Sequence, residues 1–299
     1  MPILYPLFPP PLPGPRKLKF AASNLVGISS SPFTGQQEIQ QWPGEWWELE
    51  IGLPPMLRTQ AEQWVTFLLS LRGQVGTFLI GDPLANIPQG SALGVPVTGI
   101  VPWTIGTATR SGGMVTCTLP WSFNGRDPAP AAPFVIGRSA VILINTDASF
   151  NGTFVLTDVQ PIINGEVFAG WTLKWAQAGA NAQGAGGSAL PVVNQAQDNV
   201  LWTSGWTPNQ SAALKPGDYA QVGSGSTQRL HKALTIAQVD TAGNAGIDIF
   251  PVIRESLPDG TPLILNYTAG CFRLSANRRE WDIDYMKTYG IDFKAIEAI

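Results

Sequence analysis

Apolar and polar residues alternate strictly from Glu45 to Leu53. Trp47, Leu49, Ile51 and Leu53 fall on one face, and Trp46, Glu48 and Glu50 on the other. A period of two predicts a half-buried antiparallel strand, which Pro54-Pro55 ends. The spacing then switches to three and four. Ala61, Trp64, Val65, Leu68 and Leu71 line one side, and Phe67 and Leu69 widen it. Thr59 with Glu62 reads as a capping box and Gly73 as a stop, so a helix is expected from about Gln60 to Arg72. Thr77–Ile80 reads as a short strand before the turn signal Gly81-Asp82-Pro83.

From about Leu93 helical spacing vanishes. Short alternating stretches, Met114–Leu119, Ala140–Asn145, Thr153–Asp158 and Glu166–Trp175, are separated by Asn124-Gly125, Asn151-Gly152 and Asn164-Gly165. Asn-Gly favours hairpin turns because both residues tolerate positive φ. The string Gly-Ser-Ala-Leu occurs at 90–93 and again at 187–190, each time with Pro-Val soon after, as an insertion between two copies of a junction would leave it. Ala176–Ser188 is rich in Gly and Ala and reads as a linker. Beyond it, Tyr219–Val222, Leu230–Val239 and Ile247–Ile253 read as strands, with a turn at Thr241–Gly246. Leu263–Tyr267 and Phe272–Ser275 read as a pair, and Phe293–Ala298 as a short closing helix. The fold class expected is mainly β: a β-sandwich with one packed α-helix, an inserted small all-β module, and a second β-sandwich or barrel-like domain. The borders fall at 1–19 for a Pro-rich arm, 20–92, 93–189 and 190–299.

The arm holds Pro9, Pro10, Pro11 and Pro13, a run that excludes helix and central strand and favours polyproline II. A floppy terminus and an arm lying on a neighbouring subunit are its two readings. Composition sharpens the second. Only 13% of the 299 residues are charged, against the usual quarter or so, while there are 11 Trp, 32 Gly and 26 Pro. Interfaces enrich aromatics and deplete charge at their centres. The net charge of −3 provides no field for nucleic acid, and no apolar run is long enough to span a membrane. Two distant cysteines, Cys117 and Cys271, do not make a disulfide framework, and one histidine cannot build a multi-His zinc site. No cofactor is expected.

Candidate chemistry is thin. Glu280, Asp282 and Asp284 form an acidic stripe that could hold a hard cation, but no calcium-loop pattern surrounds them. Arg278 and Arg279 beside it suit pairing with a neighbour's charges. His231 with Cys271 lacks any nucleophile signature, and Gly223-Ser224-Gly225-Ser226 lacks the Lys and the following helix of a phosphate loop. No enzyme is expected. Trp42, Trp46 and Trp47 suit either sugar stacking or core and interface anchoring. Trp202 and Trp206 share that ambiguity, as do Trp171 and Trp175, which on the inserted module are the glycan-contact candidates.

Several stretches together carry a resemblance. They are Ser31–Gln37 ahead of the Trp-rich strand, Leu53-Pro54-Pro55-Met56, Gly76–Pro83, Leu214–Tyr219, Gln221-Val222-Gly223, Arg229–Lys232, Phe272-Arg273-Leu274 and Tyr289-Gly290-Ile291. Over roughly 20–92 and 190–299 the chain resembles distal tail proteins of long-tailed bacteriophages and prophages. Thr146–Phe154 is similar to a small β unit of phage fibre and tail-tip proteins, and the insertion departs from the family's shorter pattern. The resemblance implies a non-enzymatic virion protein at the distal end of the tail, assembled in the host cytoplasm. It implies a ring, commonly of six copies, between the tail tube protein and the baseplate hub, tail-tip and fibre proteins, with DNA only as passing cargo. Pro9, Pro10, Pro11, Pro13, Trp46, Glu48, Glu50, Arg278 and Arg279 are the interface residues expected. The alternatives are a tail-tip component binding host-surface glycan through the inserted module, or another minor tail or hub protein.

Overall fold

The computed structural model describes residues 3–120, 133–165, 167–240 and 242–298. Asn124-Gly125, Thr241 and Glu166 lie outside the described residues. The fold is mainly β, with several sheets and, among the described residues, one α-helix. In chain order the first elements are β1 (Lys17–Ser30), β2 (Gln37–Gly52), α1 (Arg58–Ser70), β3 (Thr77–Ile80) and β4 (Gly94–Thr98). There follow β5 (Trp103–Thr104), β6 (Thr107–Ser111), β7 (Met114–Pro120), β8 (Ser139–Leu143), β9 (Gly152–Val155), β10 (Asp158–Asn164), β11 (Val167–Ala176), β12 (Ala182–Ala185) and β13 (Ser188–Pro191). The last are β14 (Val200–Trp206), β15 (Tyr219–Val222), β16 (Arg229–Ala233), β17 (Ala245–Phe250), β18 (Leu263–Ile264), β19 (Gly270–Leu274), β20 (Asp282–Ile283), β21 (Tyr289–Gly290) and β22 (Asp292–Glu297).

The first sheet has the order β1-β2-β22-β19-β3. The alternation of β2 does what the sequence pattern asks: Trp47, Leu49 and Ile51 are buried and Trp46, Glu48 and Glu50 are half-exposed. Helix α1 lays Ala61, Trp64, Val65, Phe67 and Leu68 against this sheet. Its start differs from the expected capping box. Leu57 is the N-cap and Thr59 lies inside the helix. Met56, bonded both ways to Tyr289, fixes the entering chain, so the helix begins earlier without a side-chain cap. Leu69 faces solvent. Arg72 and Gly73 both take positive φ beyond Leu71, ending the helix where glycine predicted.

The expected closing helix is a strand. β22 pairs with β2 on one side and β19 on the other. A slot between two strands leaves backbone groups that only a strand can satisfy, and this overrides local helix propensity.

The described residues between 103 and 191 form two sheets, β10-β11-β7-β6-β12 and β5-β13-β8-β9, that share one buried cluster. Their hairpin logic is partly as expected. Asn164-Gly165 turns β10 into β11. Asn151-Gly152 makes no hairpin: Asn151 ends a short 3-10 turn, and its side chain accepts from the Asn145 N–H. The tight turn between β6 and β7 is Gly112-Gly113, both at positive φ. Ala176–Ser188 is no free linker, because its residues 182–185 add β12 to the sheet edge beside β6. The two Gly-Ser-Ala-Leu copies are not equivalent. The first runs along Ala212 and Ala213, and the second lies largely within β13. β4 belongs to the C-terminal sheet, so the module proper starts about ten residues after Leu93.

That C-terminal sheet has the order β18-β15-β16-β17-β14-β4, over its own apolar cluster. Tyr219–Val222 matches its expected strand residue for residue. The strand expected at Leu230–Val239 stops at Ala233, and β18 pairs with β15 rather than with β19.

Candidate assembly surface: a projecting two-stranded ribbon

β1 and β2 stay paired from Lys17↔Gly52 out to Ser30↔Gln37, with a register shift between Asn24 and Leu25. Pro43 and Gly44 fall in that shift. A Cβ on Gly44 would meet Leu25 Cδ1 at 2.5 Å, so glycine is what lets Leu25 lie there. Below the shift β2 is held by β22. Above it no third strand pairs with either partner among the described residues, and the ribbon projects with both faces open.

Several of the ribbon's exposed residues are large and apolar, and the rest are nearly all uncharged. Ile28 and Ile39 are directly paired and each 65% exposed. Leu25 is paired with Trp42 on the opposite face, and both are about half exposed. Phe33 at the tip is 94% exposed. Between Asn24 and Gly44 the only charged residue is Glu38. Natural edges are normally blunted by charge or cover, and a lone two-stranded hairpin is marginal in water.

The ribbon's root is tied to the C-terminal domain. Glu45 is buried. Its carboxylate accepts from the Val252 N–H at 3.0 Å and from Asn24 Nδ2 at 3.3 Å. Its main-chain carbonyl accepts from the Arg254 guanidinium, which also donates to Glu297 Oε2 at 2.8 Å. Sequence reasoning missed Glu45 because, although it stands in register with the buried face of Trp47, Leu49 and Ile51, a carboxylate there reads as exposed until its partners are known. Burial pushes the Glu297 carboxyl up from the usual carboxylate range, with Arg254 opposing.

The expected interface residues separate into groups. Glu48 accepts from Trp46 Nε1 at 3.0 Å and from Ser23 Oγ at 2.8 Å, so part of the open face is already a cross-strand network. Glu50 pairs with Lys17 at 3.2 Å, which holds its carboxyl below the usual range. Glu50, Arg278 and Arg279 line one shallow cleft beside Phe293, so the structure does bring these three together. The prolines lie elsewhere, against α1 and β3 of the same chain. Leu7 exchanges main-chain bonds with Thr77 and Leu79 beside β3, Tyr5 Oη donates to the Ser70 carbonyl at 2.7 Å, and Trp64 Nε1 donates to the Pro13 carbonyl at 3.2 Å. Pro9, Pro10 and Pro13 are half-buried in this docking and Pro11 is exposed. These contacts within the chain cover β3, a sheet edge, while Leu4, Phe8 and Leu12 on the arm are exposed.

Trp171 and Trp175 are corrected. Both are buried in the module's cluster, Trp175 stacked on Phe154 with ring centroids 5.1 Å apart, so neither presents a face to a sugar. The acidic stripe does not converge. Glu280 pairs with Arg278 at 2.8 Å, while Asp284 accepts from the Thr288 N–H and hydroxyl across a turn. Among the described residues no cluster of three metal-ligating side chains occurs. His231 is buried with Nδ1 2.8 Å from the Pro251 carbonyl, and burial pushes its pKa down to about 4. Burial raises the Cys271 thiol. Gly223–Ser226 is a turn closed by a short 3-10 segment. No family model matches the chain, and no curated protein matches it.

Proposed function

We propose that the chain is a non-enzymatic structural subunit of a phage tail, assembling as a ring at the distal end between tube and hub. The observation that carries this reading is the projecting ribbon. It presents apolar side chains on both faces, one charge, and two unpaired strand edges. Only cover by another chain removes that cost, and identical copies around an axis supply it through head-to-tail contacts. In this reading the sheet with α1 is the ring sandwich, the C-terminal sheet is the second sandwich-type domain facing outward, and the inserted module projects from it. The low charge and the resemblance to distal tail proteins support the same reading.

The test is mass in solution by light scattering. The native chain is expected to give a discrete oligomer near six copies. A variant in which Asn-Gly replaces residues 25–44, closing Asn24 and Glu45 with a two-residue turn, is expected to be a folded monomer. Unchanged assembly of that variant, or a native chain that stays monomeric at about 100 μM, overturns the reading.

A further inference from the structure

We infer that the outer face of the N-terminal arm is the seat for the ribbon tip of a second copy, with Phe33 against Leu12 and Glu38 beside Arg16. The inference rests on the ring reading above and names the joint that would close it.

The arm has two faces. The inner one is engaged within its own chain, where Tyr5, Leu7 and Pro13 hold it to α1 and β3. The outer one carries Leu4, Phe8 and Leu12, which are 81%, 77% and 72% exposed. Proline fixes φ, and the arm is already docked, so a partner meets an ordered strip and loses little free energy in ordering it. The ribbon presents Phe33 and the Ile28–Ile39 pair. Scaled by their exposure, these six side chains offer roughly 700–900 Å². That is over half of the ~1,200 Å² at which stable specific interfaces begin, and the uncharged chain around them adds to it.

Charge sets the pairing and selects a second copy as the occupant. From Ile3 to Pro15 the arm has no charged residue, and exposed Arg16 ends it. The ribbon's one charge is Glu38, also exposed and of opposite sign. Neither forms an ion pair among the described residues. The charges beside Arg16 do not cancel it. Lys17, Lys19 and Lys294 stand there against Glu50 and Asp292, so the foot of β1 is positive.

The spacings agree. Glu38 stands one pair behind the closing pair Ser30↔Gln37, and Phe33 lies in the turn beyond, which puts the two about 10 Å apart along the ribbon. Arg16 and Leu12 are separated by four residues, no more than about 14 Å of chain. Tip and seat cannot meet within one chain. Arg16 adjoins Lys17, where β1 begins, and the tip follows Ser30, where β1 ends, about 40 Å away at ~3.3 Å per residue. Complementary surfaces at opposite ends of one long hairpin make a head-to-tail joint, which propagates around a ring.

The experiment uses the full chain with Phe33→Asp on the tip and Leu12→Asp on the seat. Both side chains are exposed, and circular dichroism checks that each variant is folded. Each alone is expected to lower the assembled fraction at least tenfold by light scattering. Mixed one to one, they are expected to give a dimer and nothing larger, since one intact tip meets one intact seat. Glu38→Arg combined with Arg16→Glu in one chain is expected to assemble better than either single change. Assembly of folded Leu12→Asp at the native level, or a mixture that stays monomeric, overturns this inference and leaves the ring reading standing. A native chain that does not assemble overturns both.

Discussion

Arg254 donates from Nη2 to Glu297 Oε2 at 2.8 Å, tying the loop after β17 to the strand that ends the chain. Both side chains are largely buried, at 14% and 2% exposure. Removing one partner of such a pair leaves an uncompensated charge, which typically costs about 3–5 kcal/mol. Arg254→Met is therefore expected to lower stability by about that amount in urea unfolding at pH 7. Adding Glu297→Gln to it is expected to recover part of the loss. Equal stability of Arg254→Met and the native chain would show that the pair is not formed.

His231 gives a pH dependence that can be isolated, since it is the chain's one histidine. Its folded pKa is about 4 and its ordinary value 6.5. Between those values the unfolded chain binds the proton and the folded chain does not, so stability rises with pH across that window. The slope contributed is at most about 1.4 kcal/mol per pH unit. Unfolding midpoints of the native chain and His231→Gln, compared between pH 4.5 and 7, are expected to converge toward the acid end. Parallel curves would mean that His231 binds its proton equally in the folded and unfolded chain.

Trp175 separates a core role from a binding role. Its side chain is fully buried against Phe154. Trp175→Ala is expected to cost about 3–5 kcal/mol, read as a lower unfolding midpoint of the module's signal. A variant of native stability that loses glycan binding would contradict this placement.

The proline arm is expected to act as an edge cover. Tyr5→Phe deletes one hydrogen bond to Ser70, worth about 0.5–1.5 kcal/mol. Deleting residues 1–13 also uncovers Trp64 and the β3 edge, so the melting temperature should fall and the Trp emission shift to the red. An unaltered melt would leave the arm without a stabilising role.

What could be read in advance followed local periodicity. The faces of Glu45–Leu53, the helix after Pro55 and the strand Tyr219–Val222 all have a clean period. β22 escaped because Asp-Phe-Lys-Ala-Ile-Glu contains good helix formers, and because buried Glu297 looks polar until Arg254 and the Trp47 N–H are beside it. Trp171 and Trp175 carried a usable signal. They alternate with Thr172 and Lys174, which already places them with Leu173 on the apolar face. The ribbon had only the Ser31–Gly35 turn between Ile28 and Ile39 to announce it. Nothing local says that two strands leave their sheet, because that depends on where β22 stops. The root at Glu45 joins residues about 200 positions apart, beyond any pattern in a short window.

The position of β22 also sets a timetable for synthesis. The strand that completes the middle of the first sheet leaves the ribosome long after its partner. Its partner β2 is finished some 240 residues earlier. At roughly 5–20 residues per second, the N-terminal half-sheet waits on the order of 10–50 s for its centre. The inserted module closes its own sheets during that delay, while the edge of β2 that β22 will occupy stands open. Nascent copies made close together on one message are therefore exposed to each other through that edge before either sheet is complete.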